Sequence, residues 1–528
     1  MSPPGRSGRR VRAWAVAAVM TTMVLTGCGS TDDVADDPSS AASEATSSPD
    51  ATEGSSKPSG AAAPARALRS FYEQKLEWEG CGSGQDCAEA DVPLDYTDPT
   101  GDTVTLELRR SPAEGESRGT LFVNPGGPGG SGVDFTSYFA GQAGEEVVAS
   151  YDVVGFDPRG VGTSEPLECL GTEAMDRYVS SDPDPDDAAE SEDFIASVRE
   201  LGEGCVRSSG ALAAHVSTQE VARDLDVLRA VLGDEKLTYY GASYGTYIGA
   251  TYAELFPEQV RRMVLDGAVD PTLSNTDTNL EQARGFETAL RAYAADCVEQ
   301  GDCPLGESEA AVVKRIGQLL KDLDESPMPT NDPERPLTQA LGFYGVALPL
   351  YDEGSWGYLT QGLEAALAGN GGVLLLFADQ YLSRTDSGYS DNSAEVISAV
   401  NCLDKPVDTT AADVEATIPD FQEASPTFGR VFAWSVAGCG AWPVRSPLEP
   451  LESYDAEGAA PIVVVGTTRD PATPYEWAVS LAEQLSSGVL VTRDGDGHTG
   501  YSQGNDCVDS AVDEYFLEQK VPADGLKC

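Results

Sequence analysis

The chain has 528 residues, of which 87 are Asp or Glu and 34 are Lys or Arg, giving a formal charge of −53; only two residues are His. A field of that sign excludes a nucleic-acid partner, because such binding rests on Lys and Arg neutralising phosphates, and two histidines exclude a His-rich metal site. With 41% hydrophobic and 8% aromatic residues, the composition is that of a globular chain with a sizeable core and two or three domains.

Arg6, Arg9, Arg10 and Arg12 precede an apolar run from Ala13 to Leu25 that is too short to span a bilayer. Residues 1–28 therefore read as a signal peptide. They end in Leu25-Thr26-Gly27-Cys28, which resembles the lipobox of bacterial lipoproteins and implies cleavage before Cys28 and acylation of that residue. The alternative is an ordinary secretory signal with a chance Cys. Residues 29–66 are Ser, Ala, Thr, Asp, Pro and Gly with almost no large apolar side chain, a composition that reads as a disordered tether. The expected location is the outer face of the bacterial cell membrane, held by lipid alone. Strong acidity suits a soluble monomer.

The folded part is expected from about Leu68. A turn-bounded stretch from Asp91 to Arg110, alternating in Val104-Thr105-Leu106-Glu107-Leu108, predicts an antiparallel hairpin. Short, almost continuously apolar runs then follow at Leu121–Val123, Val153–Phe156, Leu237–Tyr240, Met263–Leu265, Ile462–Val465 and Val489–Val491. Such runs, separated by helical patterns, predict buried parallel strands in an α/β sheet. Between two of them Val221, Leu225, Leu228 and Leu232 recur at helical spacing, and Gly233 stops the helix. The long interval between Leu265 and Pro461 exceeds any strand–helix connection. Helical patterns at Asn279–Glu299 and Ala310–Leu323 make it a mostly helical cap. The expected division is 67–270 and 456–528 for the two parts of the α/β domain, with 271–455 as the inserted cap.

Beyond Cys28 there remain ten cysteines, an even number that argues for disulfides in an oxidising compartment. Neighbour pairing is expected: Cys81/Cys87, Cys169/Cys205, Cys297/Cys303, Cys402/Cys439 and Cys507/Cys528.

Gly241-Ala242-Ser243-Tyr244-Gly245 places a G-x-S-x-G directly after an apolar run and directly before the helical run Tyr247–Leu255. A sharp strand-to-helix turn exposes a serine hydroxyl there, which makes Ser243 the candidate nucleophile. A second match, Gly500-Tyr501-Ser502-Gln503-Gly504, has no strand leading into it. A Ser hydroxyl needs a base, so the choice is between His215, which precedes Ser243, and His498, in a loop after the last apolar run. Strand context favours His498. The orienting carboxylate is then Asp470, in the turn after Ile462–Arg469, with Asp266 as competitor; the order Ser, Asp, His is that of α/β-hydrolases. The oxyanion donors are expected to be the amide of Tyr244 and amides of Gly126 and Gly127, in the glycine-rich loop after Leu121–Val123. That loop also holds Gly127-x-Gly129-x-x-Gly132, a formal dinucleotide fingerprint that is weak alone; the chemistry calls for no cofactor and no metal.

Asn124-Pro125-Gly126-Gly127-Pro128-Gly129-Gly130-Ser131-Gly132, Phe156-Asp157-Pro158-Arg159-Gly160, Tyr240-Gly241-Ala242-Ser243-Tyr244-Gly245-Thr246 and Asp470-Pro471-Ala472-Thr473-Pro474 with His498 resemble the secreted tripeptidyl aminopeptidases, in the prolyl-aminopeptidase-like branch of the α/β-hydrolases. The resemblance implies Ser243 as nucleophile, His498 as base and acid, Asp470 as its orienting group, and Gly127 and Tyr244 as oxyanion donors. Asn124 stands where relatives of that branch often have His, so no role of that His carries over. An Asp157/Arg159 ion pair is expected to stabilise its turn. The implied reaction is release of short peptides, tripeptides by the resemblance, from free amino termini. A carboxylate is needed to hold the amino terminus, and Glu281, Glu287 and Asp296 of the cap are among the candidates. The alternatives are a carboxylesterase or lipase-like hydrolase with the same triad and a lipid-anchored binding protein with a vestigial one.

Overall fold

The computed structural model describes residues 63–528. The signal peptide, Cys28 and nearly all of the tether lie outside the described residues. A ten-stranded sheet runs in the spatial order β1-β2-β3-β5-β4-β6-β7-β8-β9-β10, where β1 is Glu79–Gly82, β2 Gln85–Pro93, β3 Thr103–Ser111, β4 Thr120–Asn124, β5 Asp152–Phe156, β6 Leu237–Ala242, β7 Val260–Asp266, β8 Ile462–Arg469, β9 Gly488–Asp496 and β10 Leu526–Lys527. The first three strands form an antiparallel meander joined to β5, and everything from β5 to β10 is parallel. The parallel α/β sheet is the one the apolar runs predict, and with the helical insertion it makes the α/β-hydrolase architecture that the triad order and the resemblance imply.

Those runs are continuous because the central strands are covered on both faces. Leu121, Val123, Val153, Val264 and Val463 point into one core with Phe139, Tyr515 and Phe516. Their neighbours Phe122, Val154, Met263 and Val464 point into the other. Each such side chain contributes about 1.5–3 kcal/mol of burial. Between β6 and β7 the chain turns into the helix Tyr244–Leu255, and the register sets Gly241 beside Leu265 and Ala242 beside Asp266. Because parallel strands share a direction, the residues that follow β4, β6, β7, β8 and β9 all emerge at one edge of the sheet, the usual place for a site in this class of fold.

Between β7 and β8 the chain builds a cap from helices that begin with Asn275–Glu299 and end with Gly429–Gly440, together with a two-residue ribbon of Arg384–Thr385 and Gly388–Tyr389. The cap also recruits a second segment. Between β5 and β6 the helices Thr172–Val179 and Ala188–Ser209 pack against it: Phe194 meets Trp434 edge-on, Arg384 forks onto Asp176, and Arg430 donates to the carbonyls of Asp184 and Pro185. The ten cysteines of the described residues pair as neighbours. The bridge Cys402–Cys439 ties the cap helix Ser393–Asp404 to Gly429–Gly440, and Cys169–Cys205 closes the second segment on itself.

Candidate active site

Ser243 stands between β6 and its helix with φ 56° and ψ −127°, a left-handed conformation that a non-glycine residue adopts at a cost and that turns the side chain out of the sheet edge. The turn is tight enough that a Cβ on Gly241 would lie 2.4 Å from the carbonyl of Gly245. The amide of Ser243 donates to the carbonyl of Asp266 at 2.8 Å, fixing the turn to the end of β7.

His498 follows β9 by two residues. Its Nδ1 lies 2.8 and 2.9 Å from the two carboxylate oxygens of Asp470. Asp470 is itself held, accepting from the amides of Ala472 and Thr473 at 2.9 Å and of Thr499 at 3.2 Å. The other ring nitrogen, Nε2, is buried and has no hydrogen-bond partner among the described residues. The imidazole lies against the same end of β7 as Ser243, since a Cβ on Gly267 would be 3.2 Å from its Cε1. The cap reaches the ring as well: the His498 amide donates to the carbonyl of Tyr351 at 2.8 Å, and the Tyr351 ring meets the imidazole edge-on. Burial by itself would lower the His498 pKa, but the charge and hydrogen bond of Asp470, with a smaller contribution from Asp266, outweigh it and raise the value above 6.5.

The competitors have other tasks. Asp266 is fully buried and accepts from the amides of Gly500 and Tyr501 at 2.7 and 2.9 Å and from the hydroxyl of Tyr240 at 2.9 Å, so it pins the loop that carries His498. Burial pushes its carboxyl up to about 6. His215 Nδ1 lies 2.7 Å from Glu220, beside the buried Arg159. Ser502 sits in the loop after His498, with its amide on Asp509.

The loop after β4 wraps over the nucleophile. Gly126 has φ +93°, and a Cβ there would lie 2.7 Å from the Tyr244 nitrogen and 2.9 Å from Ser243 Cβ. The Gly126 amide, expected to face an oxyanion, instead donates to Asn124 Oδ1 at 2.9 Å, a bond that depends on the side chain standing where relatives often carry His. A committed amide cannot serve a second acceptor well, so the available backbone donors are those of Gly127 and Tyr244. The expected Asp157/Arg159 pair is not formed. Asp157 accepts from Ser131, Val133 and Thr163 and so anchors the far end of the glycine-rich loop, while Arg159 forks onto Asp224 at 2.7 Å and donates to the carbonyls of Pro93, Leu94 and His215. The two charges point apart, and each has a nearer partner.

A cavity of about 310 Å³ opens beside His498, lined by Tyr351, Asp352, Glu353, Arg493, Asp496 and Gln503 among others. The cap acids expected from the sequence lie elsewhere: Glu281 accepts from Trp477, Glu287 pairs with Arg291, and Asp296 accepts from Gln300. Asp352 and Glu353 escape sequence reasoning because only the fold brings their short turn, some 145 residues earlier in the chain, to the histidine.

A family model described as TAP-like protein matches residues 425–528. Over 476 residues the chain is 39% identical to serine protease Hip1 of Mycobacterium tuberculosis, covering 86% of this chain and 91% of the relative. Over 487 residues it is 34% identical to the tripeptidyl aminopeptidase of Streptomyces lividans, covering 89% and 88%. The chain belongs to the tripeptidyl-aminopeptidase family of α/β-hydrolases. This family member is thus a hydrolase of the serine-protease type. It is also 39% identical over 451 residues to a protein named carboxylesterase B in M. tuberculosis, covering 84% of this chain and 86% of that relative.

Proposed function

We propose that the protein is an extracytoplasmic serine exopeptidase that releases short peptides, tripeptides in particular, from free amino termini. The observation that carries this reading is the imidazole of His498, held by Asp470 through one nitrogen and free at the other, at the same end of β7 to which the strained strand-to-helix turn of Ser243 is tied. Ser243 Oγ passes its proton to Nε2 and attacks the substrate carbonyl. The amides of Gly127 and Tyr244 receive the developing negative charge, His498 returns the proton to the leaving amine, and water repeats the sequence on the acyl-enzyme. Asp352 and Glu353, on the cavity that His498 lines, are suited to receive a free α-ammonium group. The cap to which they belong suits short substrates rather than folded proteins. Five disulfides support an oxidising compartment. A lipid anchor at Cys28 rests on the lipobox, and among the described residues no helix is long and apolar enough to cross a membrane. The partners of this reading are peptide substrates, bound by a monomer.

The similarity to carboxylesterase B keeps esters in view. A comparison of free-amino tripeptide anilides, their N-blocked forms and short acyl esters is expected to give kcat/KM at least about 100-fold higher for the free-amino peptides, since an unpaired carboxylate pocket rejects a blocked terminus strongly. Turnover of esters with refusal of every peptide would replace the peptidase by the esterase.

The acid limb of kcat/KM should follow the neutral fraction of His498. Because the fold raises its pKa above 6.5, activity falls with a midpoint above that value as the pH is lowered. The linkage has the opposite sense for stability: the contribution of the imidazolium is full below 6.5 and is lost as the pH rises through the folded value. A kcat/KM profile with its acid midpoint below about 6 would contradict the assignment.

A further inference from the structure

The amide of Tyr244 belongs to the turn that the Ser243 amide ties to the Asp266 carbonyl, and the side chain of the same residue gives that turn a second anchorage. That phenol is buried behind the turn and is bonded to the hydroxyl of Thr218, the first residue of the helix Thr218–Val231. The Thr218 hydroxyl donates to Asp404 Oδ2, and the Thr218 amide donates to Asp404 Oδ1 at 2.9 Å. Thr218 has one hydroxyl proton. Since it goes to the carboxylate, the phenol must donate to Thr218 Oγ1, and the chain of protons runs one way, from Tyr244 through Thr218 to Asp404. Asp404 is the last residue of the cap helix Ser393–Asp404, two positions after the bridged Cys402. The same helix supplies Val396 and Val400 to a small apolar cavity that Gly126 and Tyr244 also line.

We propose that Asp404 is a positioning residue of the cap, which as a carboxylate holds Tyr244 through Thr218 and thereby fixes the amide that receives the oxyanion. This rests on Ser243 being the nucleophile but on neither choice of substrate. Burial pushes the Asp404 carboxyl up to about 7, against the Thr218 bonds and the ammonium of Lys405, with Glu220 adding to the rise. The other ionisable groups facing it are the phenols of Tyr244, Tyr247 and Tyr454, all held neutral by burial. As the pH falls through about 7 the carboxylate takes up a proton, its O–H then faces Thr218 Oγ1 as a donor, and the chain of protons must reverse, so that the Tyr244 phenol accepts from Thr218 and loses the charge-assisted hold. The acid limb of kcat therefore contains a second wave, near 7, in addition to the ionisation of His498. Through it the cap and the chemistry are coupled.

Three variants test this on a tripeptide anilide and on a short acyl ester: Asp404→Asn, Thr218→Val and Tyr244→Phe. Each is expected to lower kcat about 10-fold with KM within about twofold, a fraction of the roughly 10²–10³ that deletion of a whole oxyanion donor costs. In each the second wave disappears, so that the acid limb of log kcat fits a single ionisation, and Thr218→Ser recovers most of the kcat that Thr218→Val loses. Should Asp404→Asn not fold, the two hydroxyl deletions carry the test. Unchanged kcat and an unchanged pH profile in all three, or a fall in Tm with kcat preserved, would overturn the relay. In those cases labelling of Ser243 by a serine-directed phosphonate still succeeds if the catalytic reading is right, and its failure in the unaltered protein would point to that reading instead.

Discussion

Ser243→Ala is expected to lower kcat by about 10⁶-fold, on free-amino peptide or ester alike, while leaving the melting temperature within the range of a neutral surface change. The size follows from what is removed. Without Oγ no acyl-enzyme forms, and His498 and the oxyanion amides are left to assist water alone, which retains only a residual acceleration. The small effect on folding follows from the backbone. The bond from the Ser243 amide to the Asp266 carbonyl and the φ of 56° belong to the main chain, and Ala meets the same steric cost there as Ser. No side-chain hydrogen bond of Ser243 holds the turn, since its hydroxyl does not cap the helix it precedes. Steady-state rates, calorimetry and intact-mass detection of a phosphonate adduct check the three parts of the expectation. A variant that kept about a hundredth of the activity and still took the label would move the nucleophile elsewhere, and Ser502, in the second G-x-S-x-G, would be the next to examine.

Much of this site is legible in the sequence because its chemistry is local along the chain. The elbow needs a strand, a sharp turn and a helix in immediate succession, and Leu237–Leu255 supplies them within one stretch. Asp470 and His498 each follow an apolar run closely, so placing the runs as adjacent parallel strands also places the residues. What is illegible depends on side chains meeting across long separations. The helices Thr172–Val179 and Ala188–Ser209 carry a helical pattern but nothing that tells of Arg384, Arg430 or Trp434, all more than 200 residues on. The commitment of the Gly126 amide is hidden for a similar reason: its availability turns on where the Asn124 carboxamide points, and a glycine-rich run says only that the backbone is free to approach. Asp157 and Arg159 are two residues apart, which puts both on the same side of an extended segment only if the segment stays extended; the turn at Gly160, with φ +79°, ends that regularity. Asp266 is a fair competitor by its place after a strand, and only the direction of its oxygens, toward Gly500 and Tyr501 rather than the imidazole, separates it from Asp470.

That separation makes the pair Asp470→Asn and Asp266→Asn the sharpest test of the triad. In Asp470→Asn the oxygen of the amide can still accept from Ala472 and Thr473, so the turn survives with the loss of the longer 3.2 Å bond from the Thr499 amide, but its NH₂ now faces His498 Nδ1. A nitrogen that met a carboxylate with its proton must then accept one, which drives the proton to Nε2, where Ser243 needs a lone pair. The wrong tautomer costs about 10⁴-fold in kcat, and the imidazolium formed during attack loses its counter-charge as well. Asp266→Asn removes a buried acceptor oxygen from a carboxylate that receives two amides and a phenol. At least one of those donors is left unsatisfied, at about 1–3 kcal/mol. The cost appears as a lower melting temperature with kcat within about 10-fold of the unaltered enzyme, because the damage reaches His498 only through a loosened loop. Kinetics and calorimetry on the two variants thus give opposite signatures, one a loss of rate with the fold kept and the other a loss of stability with the rate largely kept. An Asp266→Asn protein that melts normally but has lost its turnover, beside an active Asp470→Asn, would transfer the orienting role to Asp266. The hydrogen bond that His498 Nδ1 donates to Asp470 would then be a feature of the resting enzyme alone.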